Sequence, residues 1–307
     1  MKNPTRTLRI ALSLLILVAI SPAAAEERSP TGIPYQNEVP DDPYVASPRA
    51  DHPQSPAKRF TRDSFFAVQV NVDENGQNIV GDAANEPSIA VDPTDPDKMV
   101  IGWRQFDSVT NNFRQAGYGY TIDGGQTWTF PGVIEPGVFR SDPVLDSDSQ
   151  GGIYYNSHTV EGSSDFLCDV YRSTEAGQPW DSGTPAQGGD KQWMCIDRSG
   201  QMGHGNIYSA WNIIFSVCSG DFTGSRDGGD SYFSCINVPD SPRWGTMTVG
   251  PDGEVYVAGE GASIAKSTTL KDPGLPNGFD FSVNVNLGGS TQFSTGPNPG
   301  GLLGQVY

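Results

Sequence analysis

The octapeptide Thr121-Ile122-Asp123-Gly124-Gly125-Gln126-Thr127-Trp128 returns as Ser225-Arg226-Asp227-Gly228-Gly229-Asp230-Ser231-Tyr232. It returns again, altered, as Ser173-Thr174-Glu175-Ala176-Gly177-Gln178-Pro179-Trp180. The acidic positions fall at 123, 175 and 227, two successive steps of 52. Around them, from about residue 65, short alternating apolar runs are broken by Gly, Pro, Asp and Asn, with no 3.6-residue period of helix length. The chain therefore reads as all-β. A period of this size in an all-β chain predicts a β-propeller, each repeat being one four-stranded blade. Runs 87–92, 143–146, 193–197 and 246–249 read as innermost strands, and 99–103, 153–157, 207–211 and 255–259 as the second strands.

The octapeptide itself is structural. A short carboxylate such as Asp123 accepts hydrogen bonds from its own turn, Gly124 and Gly125 permit left-handed dihedrals, and Trp128 packs into the blade. The same turn and core roles are expected of Glu175, Trp180, Asp227 and Tyr232. Two copies match every defining position of the pattern Ser/Thr-x-Asp-x-Gly-x-Thr/Ser-Trp/Tyr/Phe, and the third has Glu175 in place of Asp. Residues 65–307 thus resemble the sialidase-like Asp-box β-propeller family, also called BNR-repeat propellers. The resemblance implies six blades, of which about four and a half are present: four repeats end near residue 290, and 301–307 read as an innermost strand cut short. Run 66–72 would complete the final blade.

In such propellers the box turns lie opposite the pocket, and the starts of the innermost strands point to the central channel. Those positions are Asn85-Glu86, Arg140-Ser141-Asp142, Asp190-Lys191-Gln192 and Pro242-Arg243. Glu86, Arg140, Asp142, Lys191 and Arg243 are therefore the candidate ligand-binding residues, unless their charges simply solvate a wet channel. A sialidase needs three arginines on the substrate carboxylate, a Tyr polarised by a Glu, and an Asp acid/base. Arg140, in Phe139-Arg140-Ser141-Asp142-Pro143, resembles the family's Phe-Arg-Ile-Pro element with one residue more before the proline. Arg243 offers a second clamp, and no third arginine or Tyr/Glu pair can be placed. Catalytic residues stay unassigned.

Lys2, Arg6 and Arg9, the apolar run 10–20 and Ala23-Ala24-Ala25 have the build of an export signal, residues 1–25, which predicts a secreted or periplasmic protein. The run 10–20 is the longest apolar stretch and is too short for the roughly 20 residues a membrane helix needs. Residues 26–64, with seven prolines between 30 and 56, read as an extended linker. The formal charge of the whole chain is -17, and removing the three basic residues of the signal leaves -20. A nucleic-acid partner is disfavoured, because phosphate demands a cationic face.

Four cysteines in an exported chain suggest two disulfides. Cys218 and Cys235 flank Asp227 by nine and eight residues and should face each other across a hairpin, leaving Cys168 with Cys195 by elimination. Asn71, Asp73, Asn75 and Asp82, with Gly76, have the spacing of a calcium loop. Asn at its first position, Asp at its twelfth and the absence of flanking helices favour a hairpin turn, so no metal or other cofactor is expected beyond that candidate. The functional expectation is a secreted sialidase-like propeller acting on or binding glycans through its channel. The alternative is a non-catalytic protein-binding or structural envelope propeller; as an enzyme it would be an exo-α-sialidase-like glycoside hydrolase.

Overall fold

In the computed structural model, which describes residues 42–284 apart from 163–164, 214–215, 243 and 260–262, the alternating runs fold into antiparallel sheets in the order of the repeat. Four short strands come first: β1 (Gln54–Pro56), β2 (Arg59–Arg62), β3 (Phe65–Val68) and β4 (Gln77–Ile79). Sheet I holds β5 (Ala83–Val91), β6 (Met99–Phe106), β7 (Gln115–Thr121) and β8 (Thr129–Val133). Sheet II holds β9 (Ser141–Ser147), β10 (Ile153–Glu161), β11 (Asp165–Ser173) and β12 (Thr184–Pro185). Sheet III holds β13 (Asp190–Ile196), β14 (Ile207–Asn212) and β15 (Phe222–Ser225). Sheet IV holds β16 (Thr246–Val249), β17 (Val255–Gly259), β18 (Ser263–Ser267) and β19 (Phe281–Asn284). Each sheet is a meander, and the first strands β5, β9, β13 and β16 pack side by side in that order. This is how successive propeller blades pack. Among the described residues no helix is long and apolar enough to cross a membrane.

Consecutive side chains of a strand point to opposite faces, so an inner strand can serve two cores at once. On β10, Ile153 and Tyr155 enter a core shared with Val100, Ala116 and Tyr118 of sheet I, while Tyr154 enters another with Met194, Ile196 and Ile207 of sheet III. Tyr208 and Phe222 of sheet III meet Val255, Val257 and Ala265 of sheet IV in a third. Gly102 makes the first core possible: a Cβ there would lie 2.4 Å from the Tyr155 ring.

Asp123, Glu175 and Asp227 take equivalent turns after the third strands β7, β11 and β15. Thr121, Ser173 and Ser225 end those strands, and each hydroxyl accepts the N–H groups two and four residues on. Ser267 ends β18 and accepts from Thr269 and Leu270, a fourth such turn that the octapeptide pattern does not reveal. Asp123 accepts from Thr127 N at 2.9 Å, Thr127 Oγ1 at 2.6 Å and Thr121 Oγ1 at 2.7 Å. Glu175 has no such partner at 179, because proline lacks an N–H. Trp180 stacks edge-on against Tyr118 and Tyr155, and Tyr232 packs on the core between sheets II and III.

The turn hydrogen bonds, led by the Thr127 hydroxyl, lower the Asp123 carboxyl to about 2. A depressed carboxyl stabilises the fold above its unfolded value of about 3.9, and that contribution disappears as pH falls from there through about 2. A carbon-detected titration should therefore show Asp123 with a midpoint near 2. A midpoint close to the unfolded value would refute the turn geometry.

Several features depart from the sequence reading. Sheet III has three strands, its outer edge reduced to one bridge between Phe222 and Ile236. The Cys218–Cys235 disulfide closes that edge as expected, over a separation of 17 residues. Cys168 and Cys195, by contrast, are both free and buried. Cys168 lies in the core between sheets II and III and Cys195 in the core between III and IV, so strand alternation sends the two thiols to opposite faces of sheet III. Burial pushes both thiols up. Alkylation of the native, unreduced protein should modify neither, and alkylation after denaturation should modify these two alone; labelling of Cys218 or Cys235 without reductant would contradict the pairing.

Residues 42–64 are not free chain. Arg49 donates to the Phe130 carbonyl at 2.6 Å, Tyr44 packs on Phe113 at 5.3 Å, and β1 pairs with β4. The segment lacks a core of its own but borrows the edge of sheet I. β3, which starts the run expected to complete a final blade, pairs instead with its neighbour β2. The calcium-spaced loop is a hairpin turn in which Asp73 Oδ1 accepts from Asn75 and Gln77 N–H, while Asp82 faces Gln105 at 3.1 Å and Asn71 at 3.5 Å. The expected signal (1–25), residues 26–41 of the linker and the run 301–307 lie outside the described residues.

Candidate functional site

The first strand of three sheets carries the same irregularity near its start. Glu86 and Pro87 together oppose Trp103, Asp142 and Pro143 oppose Ser157, and Lys191 and Gln192 oppose Trp211. These are β-bulges, whose left-handed position is normally filled by glycine. Here φ is +50° at Glu86, +49° at Asp142 and +53° at Lys191, and Trp244, just before β16, has +50°. Each non-glycine residue in this region costs on the order of 1–3 kcal/mol and persists only where its surroundings hold it.

The bulges turn three charged side chains to one place. Lys191 Nζ lies 3.1 Å from Asp142 Oδ2 and 3.7 Å from Glu86 Oε1. Arg104, from the end of β6, reaches Glu86 at 2.8 Å and Asp142 at 3.7 Å, and Asn85 accepts from its Nε at 2.8 Å. Burial first, and then the negative charge of Asp142, raises the Glu86 carboxyl. Burial also acts on Asp142, but His158, Lys191 and Arg104 outweigh it and hold that carboxyl well below the usual range. One acid is thus biased to the neutral form and its neighbour to the charged one. The cluster lies at the end of sheet I where Asn85 pairs with Arg104; the acidic turn lies at the other end, where Met99 pairs with Thr121.

Of the five residues expected at the channel, Glu86, Asp142 and Lys191 come together. Arg140 does not. It is 5% exposed, and its Nη2 lies 2.7 Å from both Glu135 Oε2 and Asp169 Oδ2. It stacks 5.3 Å from the Tyr171 ring centroid, and the Tyr171 hydroxyl donates to Glu135 at 2.6 Å. This is a Tyr/Glu/Arg set, but Tyr171 is buried and its burial raises the hydroxyl pKa, so the phenol stays a proton donor. Arg243 lies outside the described residues.

Three participants escaped sequence reading. Arg104 is one residue past the run taken as the second strand, yet the 92–98 turn fixes a hairpin register that places it beside Asn85. Trp193 is 42% exposed on a strand that is otherwise largely buried. It borders a notch with Lys191, Trp211 and Trp244, and also a cleft of about 430 Å³ whose walls include Asp146, Arg198, Met247 and Val249. His158 packs beneath, fully buried, between Phe139 and Phe166.

The chain matches no family model and no curated protein sequence. Among solved structures it is similar to a protein of unknown function from Dyadobacter fermentans, with 17% identity and TM-score 0.42, over 62% of this chain and 69% of that one. A Hadza microbial sialidase is 10% identical with TM-score 0.48, over 72% of this chain and 49% of that one. YCF48 bound to D1 peptide is 15% identical with TM-score 0.42, over 72% and 57%. The chain spans about half the length of that sialidase.

Proposed function

We propose that this chain belongs to an exported β-propeller, with residues 1–25 as its signal, that binds a neutral, hydroxyl-rich glycan at the first-strand ends. The observation carrying the reading is the set of left-handed bulge residues Glu86, Asp142 and Lys191, whose side chains meet where Lys191 also lines a notch with Trp193. Strained charged positions repeated in three sheets have no folding advantage over glycine and are the sort of strain that binding sites retain. Glu86, Asp142, Lys191 and Arg104 offer donors and acceptors together, as sugar hydroxyls require. Trp193 adds a flat apolar face for sugar C–H groups, and it joins the notch at Lys191 to a cleft of about 430 Å³ that continues along Asp146, Arg198, Met247 and Val249.

The charge balance favours a neutral ligand over a sialoside. Arg104 and Lys191 each contact Glu86 and Asp142, so their charge is already opposed, and Arg140 is spent inside sheet II. The test is the full chain on an array of neutral and sialylated glycans, alongside a chromogenic sialoside. Retention of neutral glycans without sialoside turnover supports the reading. Turnover, or retention of sialylated glycans alone, replaces it with the sialidase reading, and no retention of any glycan sinks both.

A further inference from the structure

Asp142, His158 and Asp190 come from three strand positions, β9, β10 and β13, and all three side chains are buried. One potential ligand atom from each lies within 4.8 Å of the other two. The surrounding hydrogen bonds orient them. Gln192 Nε2 donates to the Asp142 carbonyl, which turns Gln192 Oε1 towards His158 Nδ1 at 3.0 Å. An amide oxygen only accepts, so Nδ1 carries the proton and Nε2 is the nitrogen that would bind an ion. Ser141 Oγ donates to Asp142 Oδ1 at 2.9 Å. An imidazole whose far nitrogen is held by a second residue, beside a hydrogen-bonded carboxylate, is the usual architecture around a bound metal.

We propose that Asp142, His158 and Asp190 bind one divalent transition-metal ion of the Zn²⁺ and Mn²⁺ class. One imidazole and two carboxylates suit these ions better than Ca²⁺, which takes six to eight oxygens. Three ligands spread evenly about 2.1 Å from one ion stand about 3.6 Å apart at most, so any longer edge of the triangle shortens on loading. Lys191, 3.1 Å from Asp142, competes with the ion for that carboxylate. The site is independent of the glycan reading, although Asp142 takes part in both.

The experiment loads the full chain with Zn²⁺, desalts it and counts metal by mass spectrometry, with no glycan present. About one ion per chain is expected, with a rise in Tm of about 5 °C at saturating metal. Asp190→Asn and His158→Gln should each lose the ion. Because buried variants can misfold, Mn²⁺ in the wild-type chain provides a second readout: electron spin-echo spectroscopy should show coupling to one imidazole nitrogen. Lys191→Met should tighten Mn²⁺ binding about ten-fold by removing the competing charge. No retained ion, no nitrogen coupling, or retention unchanged in folded Asp190→Asn would overturn the site and leave a protonated imidazole between two carboxylates. Glycan binding that persists after metal removal would leave the previous reading standing.

Discussion

Replacing Arg140 by alanine is expected to destabilise the fold by about 3 kcal/mol, with no direct effect on ligand contacts. The guanidinium is buried against Tyr171 and holds Glu135 and Asp169 at 2.7 Å each. Removing it leaves two neighbouring carboxylates and a Tyr171 hydroxyl without their common cation, which is the costly way to break a buried pair. The figure sits at the lower end of the range because Glu135 and Asp169 are 37% and 24% exposed and part of their charge is already solvated. Urea unfolding of wild type and Arg140→Ala measures it. The double variant Arg140→Ala, Glu135→Gln should recover part of the loss, since it removes one stranded charge. A loss below about 1 kcal/mol with sharply reduced glycan binding would return Arg140 to the ligand site.

Trp193→Ala should weaken glycan binding about 10- to 30-fold, at a smaller cost in stability than removal of a fully buried tryptophan. The residue is 42% exposed, so a large part of it is open to a ligand while the rest packs against the fold. A sugar face covering roughly 80 Å² of it gains about 2 kcal/mol at about 25 cal/mol per Å², which is the stated factor in affinity. Calorimetric titration of the tightest neutral glycan against wild type and Trp193→Ala gives the comparison. Equal affinities would move the ligand away from the cleft. Trp211, by contrast, is buried at 3%, and its removal would confound binding with unfolding.

The strand order was legible in the sequence because it depends on local pattern. The runs read as first and second strands at 143–146, 246–249, 153–157 and 255–259 all lie within observed strands, and the three acidic turns occupy equivalent places. The Cys218–Cys235 pairing was legible for the same reason, since both cysteines border one hairpin. Sheet III lost its fourth strand, and the 42–64 segment gained anchors, through contacts that no local pattern carries.

What the sequence by itself determined is the all-β class, the 52-residue period and the turns that punctuate it, because alternation and turn chemistry act over a few residues. What only the tertiary structure decided is which polar groups meet. Arg140 and Asp142 stand two residues apart and would share a face in a regular strand. The left-handed bulge at Asp142 breaks that alternation, sending one carboxylate to Lys191 while Arg140 stays inside sheet II. Arg104, Glu86, Asp142 and Lys191 belong to four strands of three sheets, so their meeting depends on how the sheets pack. The two free cysteines parted for the same reason, each sent by its strand's alternation into a different core.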